Sequence, residues 1–81
     1  MSISKSELHE RVNKITSDKL GVSREELRLD TKFSELDADS LDIVELFMEF
    51  EKEFEIHLSD KDTAQMIKVS DIVEHLYVKS Q

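Results

Sequence analysis

Apolar side chains recur at helical spacing in three stretches of the chain. Leu8, Val12 and Ile15 form the first stripe, Ile43, Leu46, Phe47, Phe50 and Phe54 the second, and Val69, Ile72, Val73, Leu76 and Tyr77 the third. Recurrence at i, i+3, i+4 and i+7 marks a helix with one face against a core. Ser4 followed by Glu7 has the form of a capping box and predicts a first helix from about Ser4 to Lys19, with Gly21 placed to end it. Asp39 with Asp42 three residues on opens the second helix, because a short acidic side chain accepts from unpaired first-turn N–H groups; this helix is expected to run to about Glu55. Ser59 with Asp62 starts a short third helix ending near Ile67, and the last stripe is the fourth. Residues 22–38 have no long period. Ser23 with Glu26 marks a short turn there, and Leu27, Leu29, Phe33 and Leu36 supply apolar anchors, so a long loop pinned to the core is expected. The resulting expectation is an all-α four-helix bundle with one short helix and a long first loop, residues 1–81 forming one domain whose ends, Met1–Ser2 and Lys79–Gln81, fray.

Composition adds constraints. The absence of proline and the single glycine suit helices over a sheet. Without cysteine the chain can form no disulfide, thiolate metal site or cysteine nucleophile, so any thiol chemistry must come from outside it. Met1 to Leu20 is charged throughout, unlike a signal peptide, and no apolar run approaches the ~20 residues that span a bilayer. A cytoplasmic protein without membrane insertion is expected.

The formal net charge is −8, which disfavours nucleic-acid phosphate and anionic membrane as partners, since both need Lys or Arg to displace counterions. That charge is not evenly spread. Between Asp37 and Glu55 eight acids, Asp37, Asp39, Asp42, Glu45, Glu49, Glu51, Glu53 and Glu55, face one base, Lys52. Like charges at i,i+4, as in Glu45/Glu49, Glu49/Glu53 and Glu51/Glu55, repel by a few tenths of a kcal/mol per pair. The last three acids also lie near a helix C-terminus, where the macrodipole disfavours them. A segment that tolerates these costs is expected to meet a basic partner.

The second helix has a further apolar arc. Leu41, Val44 and Met48 gather away from the core stripe, with Glu45 and Glu51 at their flanks. These three residues either pack under the long loop or form a docking strip, in which charge steers encounter and Met adapts to several partners.

Ser40 follows the cap Asp39 and so lies in the first turn, exposed where backbone N–H groups and the helix dipole favour a phosphate. A plain helix-start serine is the simpler alternative. Catalysis by Ser40 is disfavoured: His9, His57 and His75 lie in separate segments, no G-x-S-x-G elbow surrounds it, and so small a chain offers little pocket.

The run Asp39-Ser40-Leu41-Asp42-Ile43-Val44-Glu45-Leu46, followed by Met48, Glu51 and Phe54-Glu55-Ile56, resembles the acyl carrier protein family, whose hallmark is Asp-Ser-Leu at the start of the second helix. The resemblance extends from the first helix to Val69-Ser70-Asp71-Ile72. It implies that Ser40 receives phosphopantetheine from coenzyme A through a separate magnesium-dependent phosphopantetheinyl transferase, and that the terminal thiol of this arm carries acyl groups as thioesters. The protein would then be a non-enzymatic, monomeric carrier delivering intermediates between enzymes of fatty acid biosynthesis. By the same resemblance Leu41, Val44, Glu45, Met48 and Glu51, joined by the cap residues Asp39 and Asp42, are partner-binding residues that meet basic patches on those enzymes. Two positions depart from the family pattern: Asp37 stands where Gly is common, and Ser59 where Pro often precedes the third helix.

Peptidyl, D-alanyl and polyketide carriers share these features, so the sequence leaves the cargo open. It also leaves open an unmodified acidic docking module. A calcium-binding loop fails on spacing, because an EF-hand register begun at Asp37 would put Asp42 at the glycine position and Met48 at the bidentate glutamate position. The histidines offer no metal constellation. A loaded arm is expected either to lie along the surface or to fold between the helices, with Leu46, Phe50 and Ile72 covering an acyl chain.

Overall fold

The computed structural model describes residues 3–80. Its helices are α1 (Lys5–Leu20), α2 (Ser40–Phe54), α3 (Asp60–Ala64) and α4 (Val69–Lys79), with 3-10 turns at Arg24–Glu26 and Phe33–Glu35 in the long loop between α1 and α2. The all-α architecture with a short third helix is the one expected from the sequence. Of the ends expected to fray, Met1, Ser2 and Gln81 lie outside the described residues, whereas Lys79 closes α4 and Ser80 caps it, its N–H donating to the Leu76 carbonyl at 3.0 Å.

Local chemistry sets the helix ends. The Ser4 hydroxyl accepts the Glu7 N–H at 3.1 Å to start α1. Gly21 ends it in the left-handed region at φ 71°, its N–H donating to the Ser17 carbonyl. Nothing would meet a Cβ built at Gly21, so the backbone angle rather than space is the reason for glycine there. α2 ends in the same way at Glu55, φ 53°, but with a side chain that pays the left-handed strain. α3 begins with a reciprocal box: Ser59 N–H donates to Asp62 Oδ2 and Asp62 N–H to Ser59 Oγ, both at 3.1 Å. The Ser59 backbone N–H, and then its side chain, hold the Asp62 carboxyl below the usual aspartate range.

α3 stops at Ala64 and does not reach Ile67. Gln65 N–H closes back on the Asp62 carbonyl, while the N–H groups of Ile67 and Lys68 donate to Asp71 Oδ2 at 2.9 and 3.0 Å. Ile67 therefore belongs to the entry of α4, whose first turn satisfies it.

The core gathers Leu8 and Val12 of α1, Leu46, Phe47 and Phe50 of α2 and the stripe Val69, Ile72, Val73 and Leu76 of α4, with Leu27, Phe33, Leu36, Leu58 and Met66 supplied by the connections. Ile15, Ile43, Phe54 and Tyr77 pack against it half-buried. Phe33 meets Phe47 edge to face at 5.5 Å, the geometry that the ring quadrupoles favour. α1 packs on both α2 and α4.

The long loop is pinned as expected by Leu27, Phe33 and Leu36, but not by Leu29, which is 47% exposed. There the backbone serves instead. The Leu29 carbonyl accepts Ser70 N–H at 2.8 Å, the Thr31 carbonyl accepts Val69 N–H at 2.9 Å, and Phe33 N–H donates to the Ile67 carbonyl at 2.9 Å. An isolated antiparallel bridge between Lys32 and Lys68 results. On the other side, His9 Nε2 and Asn13 Nδ2 lie 3.1 and 2.9 Å from the Leu27 carbonyl, fastening the loop to α1. The Ser23 hydroxyl accepts from Glu25 N–H rather than from Glu26, whose N–H goes to the Ser23 carbonyl.

Candidate functional site

α2 begins with a reciprocal cap. Asp42 N–H donates to Asp39 Oδ1 at 3.0 Å, and Asp39 N–H to Asp42 Oδ2 at 3.3 Å. This fixes Ser40 as the first residue of the helix, exposed to solvent. The Ser40 and Leu41 amides, which by helix geometry have no acceptor inside the helix, lie at the same end. Asp37 precedes this cap without left-handed backbone, since Glu55 and Gly21 are the positive-φ residues found among those described. The chain turns there by an Ala38 N–H to Leu36 carbonyl bond at 2.8 Å, a tight turn open to any residue. Glycine is thus not demanded at position 37, and Asp fits it without strain.

Beside Ser40 opens a groove of about 560 Å³. Ser40 and Asp39 stand on its rim; Ile43, Val44 and Phe47 of α2 form one wall, Thr63 and Ala64 of α3 another, and Phe33, Met66 and Ile67 from the pinned connections the third. The lining is mainly apolar. Leu46, Phe50 and Ile72, expected to cover an acyl chain folded between the helices, are buried in the core and do not line this groove. The sequence reading missed Ile67, Met66 and Phe33 as groove residues; Ile67 carried one signal, as an apolar residue that neither neighbouring stripe uses.

Leu41, Val44 and Met48 are 63%, 54% and 60% exposed. They form an open apolar strip on α2 and do not pack under the loop. Of its acidic flanks, Glu45 Oε2 lies 3.7 Å from Lys19 Nζ at the end of α1. Glu51 Oε2 accepts the Leu58 N–H at 2.9 Å and lies 3.4 Å from His57 Nδ1, so this carboxylate also braces the approach to α3. Glu49 and Glu53 face Arg11, Lys14 and Lys19 of α1 across a shallow cleft, and the Arg11 guanidinium sits 4.6 Å over the Phe54 ring. Part of the basic charge that the acidic helix calls for therefore comes from this chain itself. No group of three His, Cys, Asp or Glu side chains able to hold a metal ion occurs among the described residues.

The exposed hydroxyl fits a phosphodiester, since nothing in the cap covers it and an apolar groove begins beside it. The phosphopantetheine attachment site family matches residues 10–76. A solved structure of the acyl carrier protein from Enterococcus faecalis superposes with a TM-score of 0.78 at 25% identity, over 96% of this chain and 100% of that one. The match runs through α1, the long loop, the serine-headed α2 and nearly all of α4, and the chain therefore belongs to the acyl carrier protein family, which bears covalently attached phosphopantetheine.

Proposed function

We propose that Ser40 is the attachment residue and that the protein carries acyl groups as thioesters on the phosphopantetheine arm, passing them between enzymes of fatty acid biosynthesis. The observation that carries this reading is the exposed Ser40 hydroxyl at the mouth of an apolar groove. In the loading step the Ser40 oxygen forms the new bond to phosphorus, the adenosine bisphosphate part of coenzyme A leaves, and the hydroxyl proton passes to the transferase. The arm supplies the thiol that this cysteine-free chain lacks.

The groove favours an acyl cargo over an aminoacyl one. Burying each methylene is worth about 0.8 kcal/mol, which an apolar lining returns to a hydrocarbon tail and not to a charged amine. The chain acts as a monomeric cytoplasmic carrier and not as an enzyme. The strip of Leu41, Val44 and Met48, rimmed by Asp39, Asp42, Glu45 and Glu51, serves as the docking face for the transferase and for acyl-handling enzymes with basic patches.

Intact mass before and after incubation with coenzyme A, magnesium and a broad-specificity phosphopantetheinyl transferase tests the reading. A gain of one phosphopantetheine on the native chain, absent in Ser40→Ala, is expected. No gain with several transferases would replace it with an unmodified docking module.

A further inference from the structure

Three surfaces outside the attachment site hold concentrated chemistry: the cleft between α1 and α2, the Glu51 brace, and the acidic patch around His75. The first leads furthest. Glu45 stands at the edge of the exposed strip that turns toward α1, and its carboxylate is 3.7 Å from Lys19 Nζ. Both side chains are partly solvent-exposed, so the pair is an open, exchangeable contact that solvent and salt weaken. Further along α2, Glu49 and Glu53 line a cleft with Arg11, Lys14 and Lys19. The acidic helix therefore has one flank already faced by bases of its own chain.

We propose that Lys19 is a built-in competitor for partner cations at Glu45, and so a specificity-determining residue of the docking face. The proposal rests on the reading that enzymes dock on α2. A partner whose basic rim reaches Glu45 must displace the Lys19 ammonium. One that places its cations toward Asp39 and Asp42, and its apolar centre on Leu41, Val44 and Met48, binds without that cost. The partner favoured is a protein surface with an apolar centre and basic groups gathered toward the N-terminal end of α2. Partners with a broad basic patch gain less from this carrier than the eight acids between Asp37 and Glu55 suggest, because a carboxylate held in an internal pair steers encounter weakly.

The test is steady-state kinetics of phosphopantetheine transfer by a broad-specificity transferase at low salt, on the native chain, Lys19→Gln, Glu45→Gln, the double variant and Lys14→Gln. Lys14 lies on the same helix but pairs with Asp18 at 3.5 Å, so its variant makes the same change in net charge without touching Glu45. Lys19→Gln should lower KM with kcat unchanged, by up to about fivefold, the range open to an exposed pair. Glu45→Gln should raise KM, the double variant should lose the gain from Lys19→Gln, and Lys14→Gln should match the native chain. The inference is overturned if Lys19→Gln leaves KM unchanged, if Lys14→Gln lowers it equally, or if the gain survives in the Glu45→Gln background; in each of these cases transfer to Ser40 still stands. Failure of transfer to every chain, the native one included, would remove the carrier reading on which this inference rests, and the inference with it.

Discussion

Asp39 holds the first turn of α2 through a bond to Asp42 N–H at 3.0 Å, immediately before Ser40, the proposed attachment residue. Asp39→Ala should cost about 1 kcal/mol in urea unfolding, the usual value of such a cap, and should also slow phosphopantetheine transfer by loosening the turn that presents Ser40. At the other end of α2, Glu55 adopts left-handed backbone with a side chain that also repels its acidic neighbours. Glu55→Gly should raise stability by about 0.5–1 kcal/mol, since relief of left-handed strain and of an ill-placed charge exceeds the added freedom of the unfolded chain. Asp62 gives the protein an acid-side dependence. Its pKa is lowered in the folded state by the Ser59 backbone N–H first and the Ser59 side chain second. The stability it adds is present above the ordinary aspartate value of about 4 and fades as pH falls through the lowered native value. Asp62→Asn should therefore differ from the native chain at neutral pH and converge with it in strong acid, as followed by unfolding at a series of pH values. The Asp39–Asp42 and Ser59–Asp62 caps were legible because each is a contact over three residues, whereas the left-handed end at Glu55 carried no such mark. The engagement of Glu51 with Leu58 and of Glu45 with Lys19 was not legible either, since a carboxylate carries no mark of which distant donor will reach it.

The long stripes of α2 and α4 showed in the sequence because five apolar positions repeat in each, and the structure buries most of them and packs Ile43, Phe54 and Tyr77 half-buried at the margin. α3 was harder: five residues hold no full period, and Met66 and Ile67 extended it on paper while their backbone groups had other partners. The separation of α2 into a core face and an exposed strip was also legible, although whether the loop covered the strip needed the structure. Phe50, sealed in the core between the rings of Phe47 and Phe54, should be the costliest truncation in this helix. Phe50→Ala is expected to remove about 3–5 kcal/mol, enough to leave so small a domain partly unfolded in thermal scans. Charge crowding acts along the same helix. Added salt or millimolar magnesium should raise the thermal midpoint by screening the acids, and by more in Lys19→Gln, which lacks the attractive Lys19–Glu45 pair that salt also weakens.

At the scale of the molecule, two of the three walls of the groove beside Ser40, those flanking α2, are of different make. The inner one, with Phe33 and Met66, joins the long loop to the α4 entry through the Thr31, Leu29 and Ile67 carbonyls. This junction was invisible in the sequence, because backbone pairs residues far apart whose side chains, Lys32 and Lys68, say nothing of it. The outer wall is α3, which buries none of its own residues. Attached acyl chains of increasing length should raise the thermal midpoint until the groove is filled and then level off, and Ala64→Phe, which narrows the groove from α3, should move that plateau to shorter chains. A flat series would place the acyl chain outside the groove. The two walls also differ in how readily they open. Amide protons of Phe33 and Val69, each held in a bond that crosses the junction, should exchange with solvent only through large-scale unfolding, whereas those of α3 should exchange through local opening orders of magnitude faster. On that expectation the groove has a fixed frame on the loop side and its movable wall at α3, a short helix whose opening would leave the bundle shut.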